Sequence, residues 1–185
     1  MIKQFVSRGG EKLAFALKHF GISIKSLRCA DFGSSTGGFT DCLLQEGARR
    51  IYAVDTAYGE LAWRLRNESK VVVLERTNAL HVKLSELVDF ISVDCGWTRQ
   101  DLILPNVFAN LKPEGLVISL LKPHYEGDLA LTHGKLSDKE VEEVVAKVIE
   151  KVKNIPDCTF LGVVESPITG LRGKNREFLL FLQKK

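Results

Sequence analysis

Asp31-Phe32-Gly33-Ser34-Ser35-Thr36-Gly37-Gly38-Phe39 sets small residues between two apolar positions. Glycines in such a loop let the backbone come close to a ligand, and a helix starting behind it attracts anionic groups such as a carboxylate. The loop has no Walker lysine, and three residues separate Gly33 from Gly37, so it is neither a P-loop nor a G-x-G-x-x-G fingerprint. Asp55 ends the next apolar run, where a carboxylate can accept hydrogen bonds from ribose hydroxyls. Loop and carboxylate together suit a cofactor that carries a ribose, either a nicotinamide dinucleotide or S-adenosylmethionine (SAM).

Such a loop works only between a strand and a helix, and the flanking residues provide both. Residues 27–32 read as a first strand, followed by a helix over 39–45 that Gly47 closes. Further strands are expected at 51–55, 71–74, 90–94 and 116–121, with a short helix at 60–66 and one at 101–111 interrupted or started by Pro105. Lys112-Pro113-Glu114-Gly115 reads as a turn. Val141, Val144, Val145, Val148 and Val152 recur at helical spacing after Ser137 and Glu140, which form a capping-box pattern. Residues 159–165 and 177–182 have no helix between them and should pair antiparallel. The alternation predicts an α/β domain with a mainly parallel seven-stranded sheet and an antiparallel C-terminal strand.

Composition narrows the class. The 185 residues are 45% hydrophobic and 26% charged, which fits one globular domain over residues 1–185 and excludes wholesale disorder. The longest uncharged stretch, residues 102–111, is far short of the ~20 apolar residues that span a bilayer. The first residues lack an apolar signal core, so the expected compartment is the cytoplasm. Cys29, Cys42, Cys95 and Cys158 are scattered, which argues against a metal site or a disulfide framework. The net charge of +3 is mild, but Lys3, Arg8, Lys12, Lys18, Lys25 and Arg28 crowd the start and Arg172, Lys174, Arg176, Lys184 and Lys185 the end. Packed on one side, the two ends would form a basic face suited to phosphates.

The glycine loop with Thr40 resembles the SAM-binding motif of FtsJ-like methyltransferases. Ser7-Arg8-Gly9-Gly10-x-Lys12-Leu13, Tyr52-Ala53-Val54-Asp55, Leu61-Ala62-Trp63 and Glu75-Arg76-Thr77-Asn78 resemble the hemolysin-like TlyA branch, and Lys122-Pro123 and Asn175-Arg176-Glu177-Phe178 extend the likeness. The resemblance implies a Rossmann-like SAM-dependent methyltransferase fold, SAM as methyl donor, and ribose 2'-hydroxyls of RNA as acceptors, with ribosomal RNA the expected substrate. It also implies a catalytic tetrad of Lys12, Asp94, Lys122 and Glu177. Lys122 would activate the hydroxyl as a base if burial beside another cation pushes it toward the neutral amine, or hold the hydroxyl in place if the two carboxylates keep it charged; Asp94 and Glu177 would orient the lysines, and Lys12 would steer the ribose or its phosphate.

Asp31, Gly33, Ser35, Gly37, Gly38, Phe39 and Asp55 are the expected cofactor contacts, with Thr77, Asn78 and Ala79 at the adenine. Arg8, Lys174 and Arg176 flank the tetrad in sequence and are the expected RNA contacts. The resemblance also implies a small RNA-binding domain ahead of Ser7, which is expected to be absent here, the sequence being either a fragment or a lone catalytic domain. Cys95-Gly96-Trp97-Thr98 and His124-Tyr125 depart from the branch pattern, and Trp97 and Tyr125 could stack on a base. The glycine spacing disfavours a nicotinamide oxidoreductase. The remaining alternative is a non-catalytic RNA-binding or hemolysin-like protein on the same fold.

Overall fold

The computed structural model describes residues 4–126, 136–169 and 175–185. Helix α1 (Gly9–Phe20) leads into β1 (Arg28–Phe32), α2 (Gly38–Gln45), β2 (Arg50–Val54), α3 (Trp63–Arg66), β3 (Val71–Leu74), β4 (Val88–Val93), α4 (Gln100–Ala109) and β5 (Leu111–Leu121). A 3-10 turn (Pro123–Tyr125), α5 (Asp138–Lys153), β6 (Cys158–Glu165) and β7 (Phe178–Lys184) follow. The strands form one seven-stranded sheet in the order β3-β2-β1-β4-β5-β7-β6. From β3 to β5 all pairs are parallel, and β7 enters antiparallel to both β5 and β6.

Apolar residues on both faces of the strands make a three-layer sandwich. In β2, Ile51 and Ala53 share one core with Leu13 and Leu17 of α1 and Leu43 of α2, whereas Tyr52 and Val54 belong to the opposite core with Leu104 and Phe108 of α4 and Val144 and Val148 of α5. This two-sided burial is why the central strands are nearly continuous apolar runs. Helix α5 starts at the expected capping box, in which Ser137 and Glu140 exchange side-chain to backbone hydrogen bonds. Gly47, in the left-handed conformation, ends α2 through the Ala48 N–H bond to the Leu43 carbonyl at 3.0 Å.

Three local expectations change. Residues 112–115 are not a turn: they lie inside β5, held by buried Leu111, which pairs with Val88, and by Lys112, which meets Asp89. The register shift between Val88 and Phe90 and the positive φ of Glu114 absorb the irregularity. Helix α4 runs through Pro105 because Ile103, Leu104, Val107 and Phe108 are buried around it. The helix expected over 60–66 is one turn, Trp63–Arg66.

Among the described residues, the basic side chains of the two ends do not all share one face. Arg176 lies just before β7, but Lys184 ends that strand, roughly 20 Å beyond its first residue, with its Nζ on the carbonyls of Phe108 and Leu111. Arg28, at the same far edge, pairs with Glu86 at 2.8 Å.

Candidate active site

The connections from β1 and β4 leave in opposite directions along the sheet, so a crevice opens beyond their C-terminal ends. Gly33 makes the crevice possible. Its φ is +87°, and a Cβ there would lie 2.6 Å from the Asp94 carbonyl oxygen, so a side chain would force the two strand ends apart. The N–H groups of Gly33 and Ser34 both donate to the Val54 carbonyl, at 2.9 and 3.1 Å, turning the loop toward β2. There the Asp55 carboxylate accepts from Ser35 N–H at 2.7 Å and Ala57 N–H at 2.8 Å. It is thus held rigidly while keeping lone pairs for a ligand.

Gly33, Ser35, Asp55, Thr77, Asn78 and Ala79 line a cavity of about 450 Å³. Asn78 also orders the wall, since its Oδ1 accepts from Leu80 N–H at 2.9 Å. Four other residues expected at the cofactor shape the loop from outside this cavity. A Cβ on Gly37 would strike Leu61 and Leu65, and one on Gly38 would strike Ser7 and Gly10, so these glycines let α1 and α3 pack tightly on the loop. Phe39 is buried in the core. Asp31 is fully buried, accepting from Thr40 Oγ1 at 2.7 Å and Ser92 Oγ at 3.1 Å. Burial pushes its carboxyl up to about 7 despite those hydrogen bonds.

A second cavity of about 630 Å³ brings the four tetrad positions together, with Lys12, Asp94, Lys122 and Glu177 all in its lining. Gly33, Ser35, Asp94 and Lys122 belong to both cavities, so the junction falls at Asp94 and Lys122. The tetrad is arranged as two ion pairs. Lys12 on α1 meets Glu177 just before β7, and Lys122 Nζ donates to Asp94 Oδ1 at 2.5 Å.

This pairing favours the charged one of the two states open to Lys122. Burial favours the uncharged amine, but the charge of Asp94, its hydrogen bond and the charge of Glu177 outweigh it and raise the Lys122 pKa above the ordinary lysine value. Next to it, burial and the Lys122 charge lower the pKa of His124.

Arg8 lines the second cavity. Arg176, expected on phosphate, instead has its guanidinium on carboxylates: Nε and Nη2 on Glu165 at 2.9 and 2.8 Å, and Nη1 on Asp138 at 3.4 Å. Lys174 lies outside the described residues. Trp97 is 79% exposed and stacks on Tyr125, with ring centroids 4.6 Å apart. Thr56, Cys95, Thr98 and Ile103 also line the first cavity. The first three follow recognised strand ends, but no motif marks Ile103, which reaches the cavity from α4. Among the described residues no cluster of His, Cys, Asp or Glu could hold a metal ion.

Residues 5–184 match the FtsJ-like methyltransferase family. The chain belongs to this family. YqxC of Bacillus subtilis, described as a candidate rRNA methyltransferase, is 40% identical over 185 residues, 97% of this chain and 66% of its own length. TlyA of Mycobacterium tuberculosis, named a 16S/23S rRNA (cytidine-2'-O)-methyltransferase, is 35% identical over 187 residues, 98% of this chain and 69% of its own. The chain thus spans about two thirds of these curated relatives.

A Lactococcus lactis structure described as a candidate hemolysin superposes with a TM-score of 0.90 at 38% identity, over 98% of this chain and 89% of that one. The Bradyrhizobium japonicum N-methyltransferase NodS, solved with S-adenosyl-L-homocysteine, matches at a TM-score of 0.63 and 16% identity over 96% and 85% of the two chains, a likeness of fold. The FtsJ-like fold is that of SAM-dependent methyltransferases, and the first cavity suits SAM. Gly33 and the braced Asp55 carboxylate both line that cavity.

Proposed function

We propose that this FtsJ-like enzyme methylates ribose 2'-hydroxyls of ribosomal RNA in the cytoplasm, acting as a single methyltransferase domain over residues 1–185. The observation that carries the reading is the Lys122–Asp94 pair at the junction of the two cavities. One cavity has the features for the methyl donor, and the other, with Arg8 and Lys12, has cations for an RNA backbone. The relatives named as ribosomal RNA methyltransferases point to the same substrate class.

Bound SAM supplies a methyl group on a sulfonium sulfur that leaves readily as a neutral thioether. Lys122, kept as an ammonium ion, donates a hydrogen bond to the ribose oxygen and stabilises the negative charge that grows on it. Being protonated already, it cannot take the hydroxyl proton, which passes to the Asp94 carboxylate and on to water. Asp94 also holds Lys122 at the junction, while Lys12, oriented by Glu177, faces the ribose or its phosphate. Orientation of this kind can supply a large part of the barrier reduction, because a hydroxyl must lie in line with the carbon–sulfur bond.

Mapping of 2'-O-methyl groups on ribosomal RNA, incubated with and without the protein and SAM, tests the reading. A new alkali-resistant ribose is the expected result. Methyl transfer to a base nitrogen or carbon, or none to ribosomal RNA, would overturn it.

A further inference from the structure

We propose that Glu126 is a positioning residue for methyl transfer: its carboxylate caps α4 from across the site and sets the spacing between the Lys122 segment and the segment carrying Asp94 and Trp97. Helix α4 begins after Arg99, which makes no side-chain cap, so its first N–H groups need an acceptor from elsewhere. Glu126 Oε1 meets that need, accepting from Gln100 N–H at 2.8 Å. Gln100 is in turn fixed to β5, where its Nε2 donates to the Leu120 carbonyl at 3.2 Å and its Oε1 accepts from Ser119 Oγ at 2.6 Å.

The short segment from Lys122 to Glu126 is itself tight. Tyr125 N–H donates to the Lys122 carbonyl at 2.9 Å and Glu126 N–H to the Pro123 carbonyl at 3.1 Å. A closed circuit results: Lys122, the 3-10 turn, Glu126, the start of α4, residues 95–99, Asp94, and back through the ion pair to Lys122. Trp97 stacked on Tyr125 bridges the circuit on its outer side. Glu126 is only 8% exposed and lines neither cavity, so its influence on the chemistry runs through this spacing.

Burial pushes the Glu126 carboxyl up to about 7, against the Gln100 hydrogen bond. Asp101 pushes the same way, and Arg99 and Lys151 oppose. The ionised form is the stronger acceptor at a helix start, so the clamp tightens as pH rises through about 7.

The inference rests on the acceptor-side reading of the second cavity, and two measurements keep their failures apart. One is the single-turnover rate of methyl transfer at saturating SAM and ribosomal RNA. The other needs no substrate: the emission of Trp97 in a Trp63→Phe background, which removes the other of the chain's two tryptophans. Glu126→Ala should lower the rate about tenfold or more, with SAM affinity unchanged, and shift the Trp97 emission. Glu126→Gln, whose amide oxygen still accepts from Gln100, should recover most of the rate and lose a step near pH 7 in the rate profile.

If the alanine variant fails to fold, Glu126→Asp takes its place, and its shorter reach should give an intermediate rate and the same direction of emission shift. Equal losses in the glutamine and alanine variants would overturn the proposal, as would an alanine rate within about twofold of the parent with unchanged emission. If the parent itself fails to methylate ribosomal RNA, the functional reading falls, and the emission alone decides whether Glu126 sets the spacing.

Discussion

The two lysine–carboxylate pairs of the site have the same composition and different settings. Lys12–Glu177 joins the first helix to the start of the last strand and is nearly sealed, with side-chain exposures of 11% and 4%. Lys122–Asp94 joins the ends of two strands that are neighbours in the sheet, and its carboxylate is 25% exposed. Both pairs border the larger cavity, but only the second also borders the smaller one. On the proposed reading, position relative to the junction, not the chemistry of the pair, makes Lys122–Asp94 the working pair and Lys12–Glu177 a clasp that also presents a cation.

The sharpest way to break that comparison is Lys122→Ala. Methyl transfer should fall on the order of a hundred- to ten-thousandfold while calorimetry finds SAM affinity nearly unchanged. Because Lys122 acts as a charged donor, Lys122→Arg should keep a substantial part of the activity. Full activity in the alanine variant would dissolve the distinction between the pairs.

For the clasp the main readout is stability. Glu177→Gln leaves the Lys12 ammonium buried without its carboxylate and should cost about 3–5 kcal/mol in denaturant unfolding, whereas the double change Lys12→Met with Glu177→Leu should restore most of it. A loss within experimental error in the single variant would mean that α1 is held by its apolar face alone.

A smaller effect is expected on the donor side. Asp55→Ala should weaken SAM binding by roughly ten- to hundredfold, the range for losing hydrogen bonds to a charged acceptor, about 1.5–3 kcal/mol. Unaltered affinity would move the ribose away from this wall of the cavity.

The smallest effect separates two arginines. Arg8→Gln should reduce the salt slope of RNA binding by about one unit, and Arg176→Gln, removed from a carboxylate cluster instead of a phosphate, should leave it unchanged. Equal slopes in both variants would erase that distinction.

The site was legible in the sequence where a local pattern dictates geometry. An aspartate closing an apolar run and a lysine before proline at a strand end both stand at the strand ends where they are expected, whereas the need for Gly33 to pass close to the Asp94 carbonyl has no sign in the sequence. What escaped depends on partners distant in the chain. Nothing near Lys112 signals that Asp89 will hold it in a strand, and nothing near Glu126 signals a helix start across the site. The charge state of Lys122 was likewise hidden, because it turns on how closely two carboxylates approach a buried amine. Arg176 shows the same limit, since only the fold brings Glu165 and Asp138 to its guanidinium.

The entry of β7 between β5 and β6 has a consequence for biosynthesis. Lys12 and Glu177 are 165 residues apart in the chain, so the clasp closes a very long loop, and such contacts come late in folding. A nascent chain that has not yet released Phe178–Lys184 from the ribosome exposes the edges of both β5 and β6 and has no partner for Lys12. Methylating activity therefore waits until Phe178–Lys184 has been made and released, and a chain without it is an aggregation hazard instead of a slow enzyme.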